Sequence, residues 1–461
     1  MTSELAHHVL LPEPALVFHP DRTNDRDTHP LRGLSKYGPY SGGLLPDPIR
    51  VGTIAPRGEG RRLYSFLKEL KEAAKPTERT DYLPAWPGFQ AVFGVRLVPA
   101  DECLLELGED LDGQMSSSPT PHVILADHLA RAVQNLAVHR DRFEMLFIYL
   151  PQRWHAGFKG GEGDEFDLHD HLKAFTARLG IPIQFVREDK ALAYPHRASV
   201  MWRIGLALYA KAGGVPWKLA DMDPETAYIG LSYAVRPPDS PQSRFVTCCS
   251  QVFDAEGAGL EFVAYDTTEA HIQRENPFLS RTEMFRVISR AMDLYRRRHA
   301  GRPPRRVVVH KSTEFKPDEV DGCMEALDLS ESVDLIQVVS SVSWRAARLE
   351  RDQDGKKGQP AGYPVKRGTV LNVGDREALL WVHGDVGGIS TKGSYFQGGR
   401  STPQPIRLVR HAGHGTWDDA ARSILGLSKM NWNNDALYDP VPVTLGYASV
   451  LARVVKRMDL L

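Results

Sequence analysis

The chain has 461 residues, 42% of them hydrophobic, enough for two to three domains with substantial cores. Lys plus Arg (57) nearly balance Asp plus Glu (58), so no global basic field marks a nucleic-acid binder; any such channel must be a local patch or be completed by a partner. Cys103, Cys248, Cys249 and Cys323 form no CxxC, zinc spacing or secreted disulfide framework, and neither a signal-like start nor an apolar run of transmembrane length is present, so a reduced cytoplasmic setting is expected.

Residues 1–40, rich in Pro, His and Asp and without a period, are expected to form an extended arm. A strand follows at Ile49–Ile54, and Arg62–Ala74 has helical spacing through Leu63, Phe66, Leu67 and Leu70. Next come a buried strand near Ala91–Val98, a helix near Val123–Val138, an apolar strand at Met145–Leu150, a helix at Asp167–Leu179 and a strand at Ile181–Val186. Such alternation predicts an α/β domain over 41–195, with an open, largely parallel sheet. The rhythm then changes. Three strands lie close together at Tyr228–Val235, Ser243–Phe253 and Leu260–Tyr265, before a long amphipathic helix at Thr282–Arg298. The strand Arg306–Val309, a helix from Pro317 to about Leu327, the strand Val333–Val339 and a hairpin at Thr369–Val373 and Ala378–His383 follow. That order predicts a ribonuclease-H-like core over 196–461. Lys356–Gly362 and Gly387–Gly399 are expected as surface loops.

The stretch from Lys429 to Lys456, KMNWNNDALYDPVPVTLGYASVLARVVK, is the most specific string in the chain: a Trp-Asn-Asn turn, Asp-Pro, then an apolar-periodic helix. It resembles the end of the PIWI domain in prokaryotic Argonaute proteins. Four other stretches resemble the same family. Trp202–Trp217 (WRIGLALYAKAGGVPW) is similar to the helix and turn joining the MID and PIWI domains, and Tyr228–Val235 to the first PIWI strand. Val307–Ser312 (VVVHKS) is similar to the central strand that normally ends in a catalytic aspartate, and Tyr395–Arg407 to a late Gly- and Pro-containing segment. The resemblance implies a Rossmann-like MID domain followed by a ribonuclease-H-like PIWI domain. Because 461 residues leave no room for N-terminal and PAZ domains, it implies a short prokaryotic Argonaute.

A MID domain anchors the 5′ phosphate of a guide, which needs several cationic or donor groups converging on one dianion. His169 and Lys173 stand one helical step apart, Gln184 follows on the next strand, and Lys211 ends the connecting helix. They match the family's phosphate-binding pattern in its His–Lys form, with Phe166 as an alternative to His169 for stacking. The resemblance also implies a magnesium ion held by Gln184 and the terminal carboxylate of Leu461, bridging guide phosphates. The run around Asp164, Glu165, Asp167, His169, Asp170 and His171 invites a metal reading too, but acidic residues at a helix start account for it.

Slicing members of the family hold two divalent metals with carboxylates, or with three carboxylates and a histidine. Here the corresponding positions fall at Ser232, at Ser312 (or Lys311 with a one-residue slip) and at Ser449; neutral hydroxyls cannot hold two such ions. The glutamate finger is not placed, although Glu269, Glu275 and Glu283 lie in the region. The serines make a non-slicing module the expectation, and the resemblance implies that it is directed by a guide RNA and recognises single-stranded target DNA. The resemblance further implies a partner: an APAZ-domain protein fused to an effector (a sirtuin-like or TIR NADase, or a nuclease), activated in prokaryotic defence against plasmids or phage. The alternative is an active ribonuclease-H-like nuclease using displaced carboxylates such as Asp254, Asp266 or Asp385.

Overall fold

The computed structural model describes residues 8–41, 45–108, 110–162, 166–235, 245–250, 262–267, 270–273, 276–340, 342–351, 358–360, 364–390, 393–397 and 401–458. Two sheets organise them. The first is four-stranded and wholly parallel, in the order Leu97–Leu107, Ile49–Pro56, Met145–Leu150, Ile183–Arg187. Every residue of Met145–Leu150 is buried, as a strand covered on both faces requires. Phe147 and Tyr149 face the helix Gly60–Lys71 through Phe66 and Leu67, while Leu146 and Ile148 face the helices Pro121–Ala137 and Leu168–Arg178.

The second sheet is nine-stranded. Its centre is parallel: Arg306–Lys311 lies between Thr226–Val235 and Ser332–Val339. On one side Phe245–Ser250 and Phe262–Thr267 continue antiparallel; on the other Ile406–Ala412, Glu377–Leu380, Thr369–Gly374 and His8–Leu10 complete it. Val307 and Val309 face the helices Arg281–Arg298 and Pro317–Ala326, whereas Val308 faces the cluster holding Ile424 of the helix Trp417–Leu427. The C-terminal helix Val443–Met458 lies over Thr226–Val235, where Ala452 and Val455 meet Ala234, and it also packs on Leu168–Arg178 of the first unit.

The connecting helix Arg197–Lys211 is apolar on nearly every side and accordingly buried. Trp202 meets Trp86 edge-on at 4.9 Å, and Gly205 is required beside them because a Cβ there would lie 2.5 Å from the Trp86 ring. Gly213 ends the segment at φ +104°, a conformation that favours glycine. The boundary expected at residues 195/196 falls just before this helix, and one apolar cluster continues across it, from Leu67 and Trp86 to Leu408 and Ile424.

Three expectations are corrected. Residues 8–40 are no free arm: Pro30–Tyr37 is a helix with Leu31 and Leu34 buried, Leu16–Val17 pairs with Lys218–Leu219, and His8–Leu10 forms an edge of the large sheet. Ala91 lies in a short helix, Phe89–Phe93, and the strand begins only at Leu97. The strand Ile406–Ala412 and the helix Trp417–Leu427 were not expected at all. The loops expected at Lys356–Gly362 and Gly387–Gly399 fall partly outside the described residues; within them Gly358–Pro360 pairs with Leu349–Arg351, and Val386–Gly387 with Ser394–Tyr395. Among the described residues no helix is long and apolar enough to cross a membrane.

Candidate nucleic-acid interface

Asp167 caps the helix Leu168–Arg178, accepting the backbone N–H groups of His169 (3.0 Å) and Asp170 (3.2 Å). One turn in, Lys173 is half-buried. Across from it the Lys211 ammonium, on the last residue of the connecting helix, donates to Gln184 Oε1 at 2.6 Å and to the Ile183 carbonyl at 2.9 Å. Burial pushes Lys211 down to about 7, with the positive charge of Lys173 adding to the effect. Lys173 is likewise lowered by burial, opposed by Asp170. Neither lysine is in an ion pair among the described residues. Two partly buried ammonium groups close enough to repel each other, with Asp170 near Lys173 but in an ion pair with neither, are an arrangement that an anion would relieve.

His169 is exposed, 3.2 Å from Asp170 Oδ1 and 5.4 Å from the Phe185 ring centroid. Phe166 packs instead against His122 and His171. The structure thus gathers Lys173, Gln184 and Lys211 at one place, with His169 at its rim. It adds Arg453, which the sequence reading missed: its Nε lies 3.3 Å from Asp170 Oδ2. Arg453 stands inside the C-terminal string, but only the crossing of that helix over Leu168–Arg178 shows where it points. Asp167, His169 and Asp170 could together approach a cation, yet Asp167 is committed to the helix cap and Asp170 to Arg453. Gln184 Oε1, expected as a magnesium ligand, already accepts from an ammonium group, and Leu461 lies outside the described residues. Among the described residues, the Lys173 and Lys211 ammonium groups gathered here suit an anion.

The second locus is the centre of the large sheet. His310 pairs in register with Gly230 and Lys311 with Leu231, so Ser312 follows level with Ser232 on the neighbouring strand. Ser232 is half-buried and Ser312 exposed; Ser449, on the helix above, is exposed four residues from Arg453 and hence on the same helical face. Lys311 points to the opposite face and is fully buried. Its ammonium donates to both Glu319 oxygens (2.7 and 2.6 Å) and to the Glu314 carbonyl (3.0 Å), inside a ring of Tyr233, Phe278 and Phe315. Glu319 also accepts from the Leu279 N–H at 3.0 Å. This is a satisfied structural pair. His310, on the serine side, holds Thr444 Oγ1 at 3.0 Å, and burial pushes its imidazole down to about 3, so it is neutral.

Of the other carboxylates, Asp385 stands 3.8 Å from Arg348, and Glu283 is buried at the start of its helix, 3.3 Å from Arg286 Nη1. Asp164, Glu165, Asp254, Glu269, Glu275 and the Asp266 side chain lie outside the described residues. The Trp-Asn-Asn turn is closed on itself: Asn431 and Asn434 donate to Asp439 (2.7 and 3.2 Å), and Asn433 donates to the Tyr447 hydroxyl (2.9 Å).

No protein-family model and no curated protein sequence matches the chain. Solved structures do match in fold. Clostridium butyricum Argonaute bound to a guide DNA and a 19-mer target DNA superposes with a TM-score of 0.66 at 15% identity, over 98% of this chain and 53% of that one. Drosophila Piwi gives 0.66 at 15% identity, over 97% and 54%. Aa-Ago with externally bound siRNA gives 0.62 at 15% identity, over 98% and 54%. The chain spans about half the length of these proteins. Its α/β architecture is an Argonaute-like fold.

Proposed function

We propose that the chain is a guide-directed recognition module, with a Rossmann-like MID unit that holds the 5′ phosphate of a short guide RNA and a ribonuclease-H-like PIWI unit that supports its pairing with single-stranded DNA. One observation carries the reading: Lys173 and Lys211 converge beside Gln184 with no carboxylate partner among the described residues, at a seam crossed by the C-terminal helix. Watson–Crick pairing would supply the sequence specificity, so the protein need only grip a backbone and anchor one end, as the near-balanced charge allows. The parallel four-stranded sheet and the mixed nine-stranded sheet are compatible with those two domain types.

Ser232, Ser312 and Ser449 support a non-slicing module. The signal would then pass to a separately encoded APAZ-domain protein fused to an effector, in the cytoplasm and in defence against plasmids or phage. This part rests on the sequence resemblance, and co-purification with the product of the adjacent gene tests it. Magnesium would enter with the guide, between its phosphates and the carboxylate of Leu461; residues appended after Leu461 should then remove the magnesium dependence of guide binding.

The direct test is a Lys173→Ala/Lys211→Ala variant offered 5′-phosphate and 5′-hydroxyl guides. Removing one charge-assisted hydrogen bond to the phosphate costs about 1.5–3 kcal/mol, roughly ten- to a hundredfold in affinity. The variant should bind both guides almost equally; a retained strong preference for phosphate removes the assignment.

A further inference from the structure

The helix Arg281–Arg298 and the loop after it stand out in a chain whose formal net charge is −1. Residues 281–306 hold nine arginines, no lysine and only two acids, Glu283 and Asp293. Arg286, Arg290 and Arg297 are exposed at i, i+4 and i+11, on the helix face turned away from the buried Met284, Ile288 and Tyr295. They form one stripe about 17 Å long, and Arg302 is exposed just beyond it. The neighbouring helix Pro317–Ala326 has the opposite sign. From Pro317 to Ser332 the chain holds six acids and no cation. Glu319 is buried on Lys311, but Asp318, Asp321 and Glu325 are exposed at i, i+3 and i+7, and Asp328 is exposed in the turn that follows. The two helices touch: a Cβ on Gly322 would lie 2.4 Å from the Arg281 carbonyl oxygen, and Arg281 pairs with Glu325 at 2.9 Å. Yet Arg297, Arg302, Asp318, Asp321 and Asp328 are in no ion pair among the described residues. Met324 and Leu329, beside the acidic stripe, are exposed as well.

A positive stripe beside a negative one suits neither a polyanion nor a polycation. Packed helices lie roughly 8–10 Å apart, close to the screening length at physiological salt, so a backbone drawn to the arginines is repelled by the acids next to them. The fitting partner carries the same two stripes in the reverse order. A second copy of this chain does so: a two-fold axis along the seam between the helices lays each arginine stripe on the acidic stripe of the other copy, an isologous arrangement in which every residue serves twice. We infer that the face made by the helices Arg281–Arg298 and Pro317–Ala326 joins two copies of this chain. The inference stands apart from the proposed guide site. Single exposed ion pairs contribute little, so the dimer rests on several acting together and on covering Met324 and Leu329. A face two helices wide is also at the small end for specific interfaces. The association is therefore weak and sensitive to salt.

The test is the mass of the full chain in solution, read by light scattering at micromolar concentration in low and in high salt. The unmodified protein should be a dimer in low salt and a monomer in high salt. Arg290→Glu/Arg297→Glu sets acids against acids, and Asp321→Lys/Asp328→Lys sets cations against cations, so each variant alone should stay monomeric in low salt. All four positions are exposed, and substitutions there leave the fold intact. An equimolar mixture of the two variants should dimerise again, because each reversed stripe now meets a complementary one. An unmodified chain that is monomeric in low salt, a variant that still dimerises alone, or a mixture that remains monomeric each overturns the inference. So does an unmodified monomer that binds duplex DNA and loses it with Arg290→Glu/Arg297→Glu, which would mark the stripe as a nucleic-acid surface.

Discussion

If Lys211 meets the guide phosphate, phosphate recognition must weaken with rising pH in a range where phosphate itself does not change. Burial holds the free-protein value of Lys211 at about 7, against an ordinary 10.5. The folded value lies below the unfolded one. This group therefore costs the free protein stability below about pH 7, and the cost is relieved as pH rises from 7 towards 10.5. A bound dianion favours the charged ammonium and reverses the shift, so guide binding above pH 7 takes up a proton. At pH 8 about one-tenth of the free protein carries that proton, and each further unit costs about 1.4 kcal/mol, close to tenfold in affinity. The second phosphate ionisation, near 6, is complete in this range. The assay is the ratio of dissociation constants for 5′-hydroxyl and 5′-phosphate guides at fixed salt from pH 7 to 9. The preference for phosphate should fall by about ten- to a hundredfold across the range, while hydroxyl-guide binding stays flat. A preference that does not change with pH refutes the contact between Lys211 and phosphate.

Glu13 accepts hydrogen bonds from Arg367 Nε (2.8 Å) and Lys429 Nζ (2.6 Å), whose side chains are fully buried. Glu13→Ala strands both cations and should cost about 3–5 kcal/mol, seen as a clear drop in the thermal midpoint. Lys311→Met, which leaves the buried Glu319 without its cation, should destabilise by a similar amount, and Lys311→Met/Glu319→Leu should recover much of it. Arg453 is exposed, so Arg453→Ala should weaken 5′-phosphate guides by no more than about fivefold, far less than removal of either lysine.

Elements whose burial is local were legible in the sequence. Met145–Leu150 is a continuous apolar run and is a strand covered on both faces; Arg281–Arg298 shows its buried stripe in Met284, Val287, Ile288 and Ala291. Short apolar runs were not: around Ala91 a strand and a single helical turn look alike, and in the helix Phe89–Phe93 the two phenyl rings pack against each other, with Phe93 also against Trp86 and Tyr209. The strand that follows runs on through Asp101 and Glu102, whose charges concealed it. The first forty residues misled for another reason. Their polar composition is real, but Leu16 pairs with Leu219, and Glu13 meets Arg367 and Lys429 across more than half the sequence. Lys173, Gln184 and Lys211, singled out in the sequence, lie close together in the structure, whereas Arg453 joins them only once the C-terminal helix crosses the first unit.

Guide-directed recognition without cleavage can be read in a single experiment. Protein loaded with a 5′-phosphorylated guide RNA is mixed with an end-labelled complementary DNA strand in magnesium or manganese, and capture and strand length are measured in the same samples. Capture should require guide complementarity, with the DNA recovered at full length. Capture indifferent to the guide sequence, or a guide-dependent cut in the labelled strand, would contradict the proposed function.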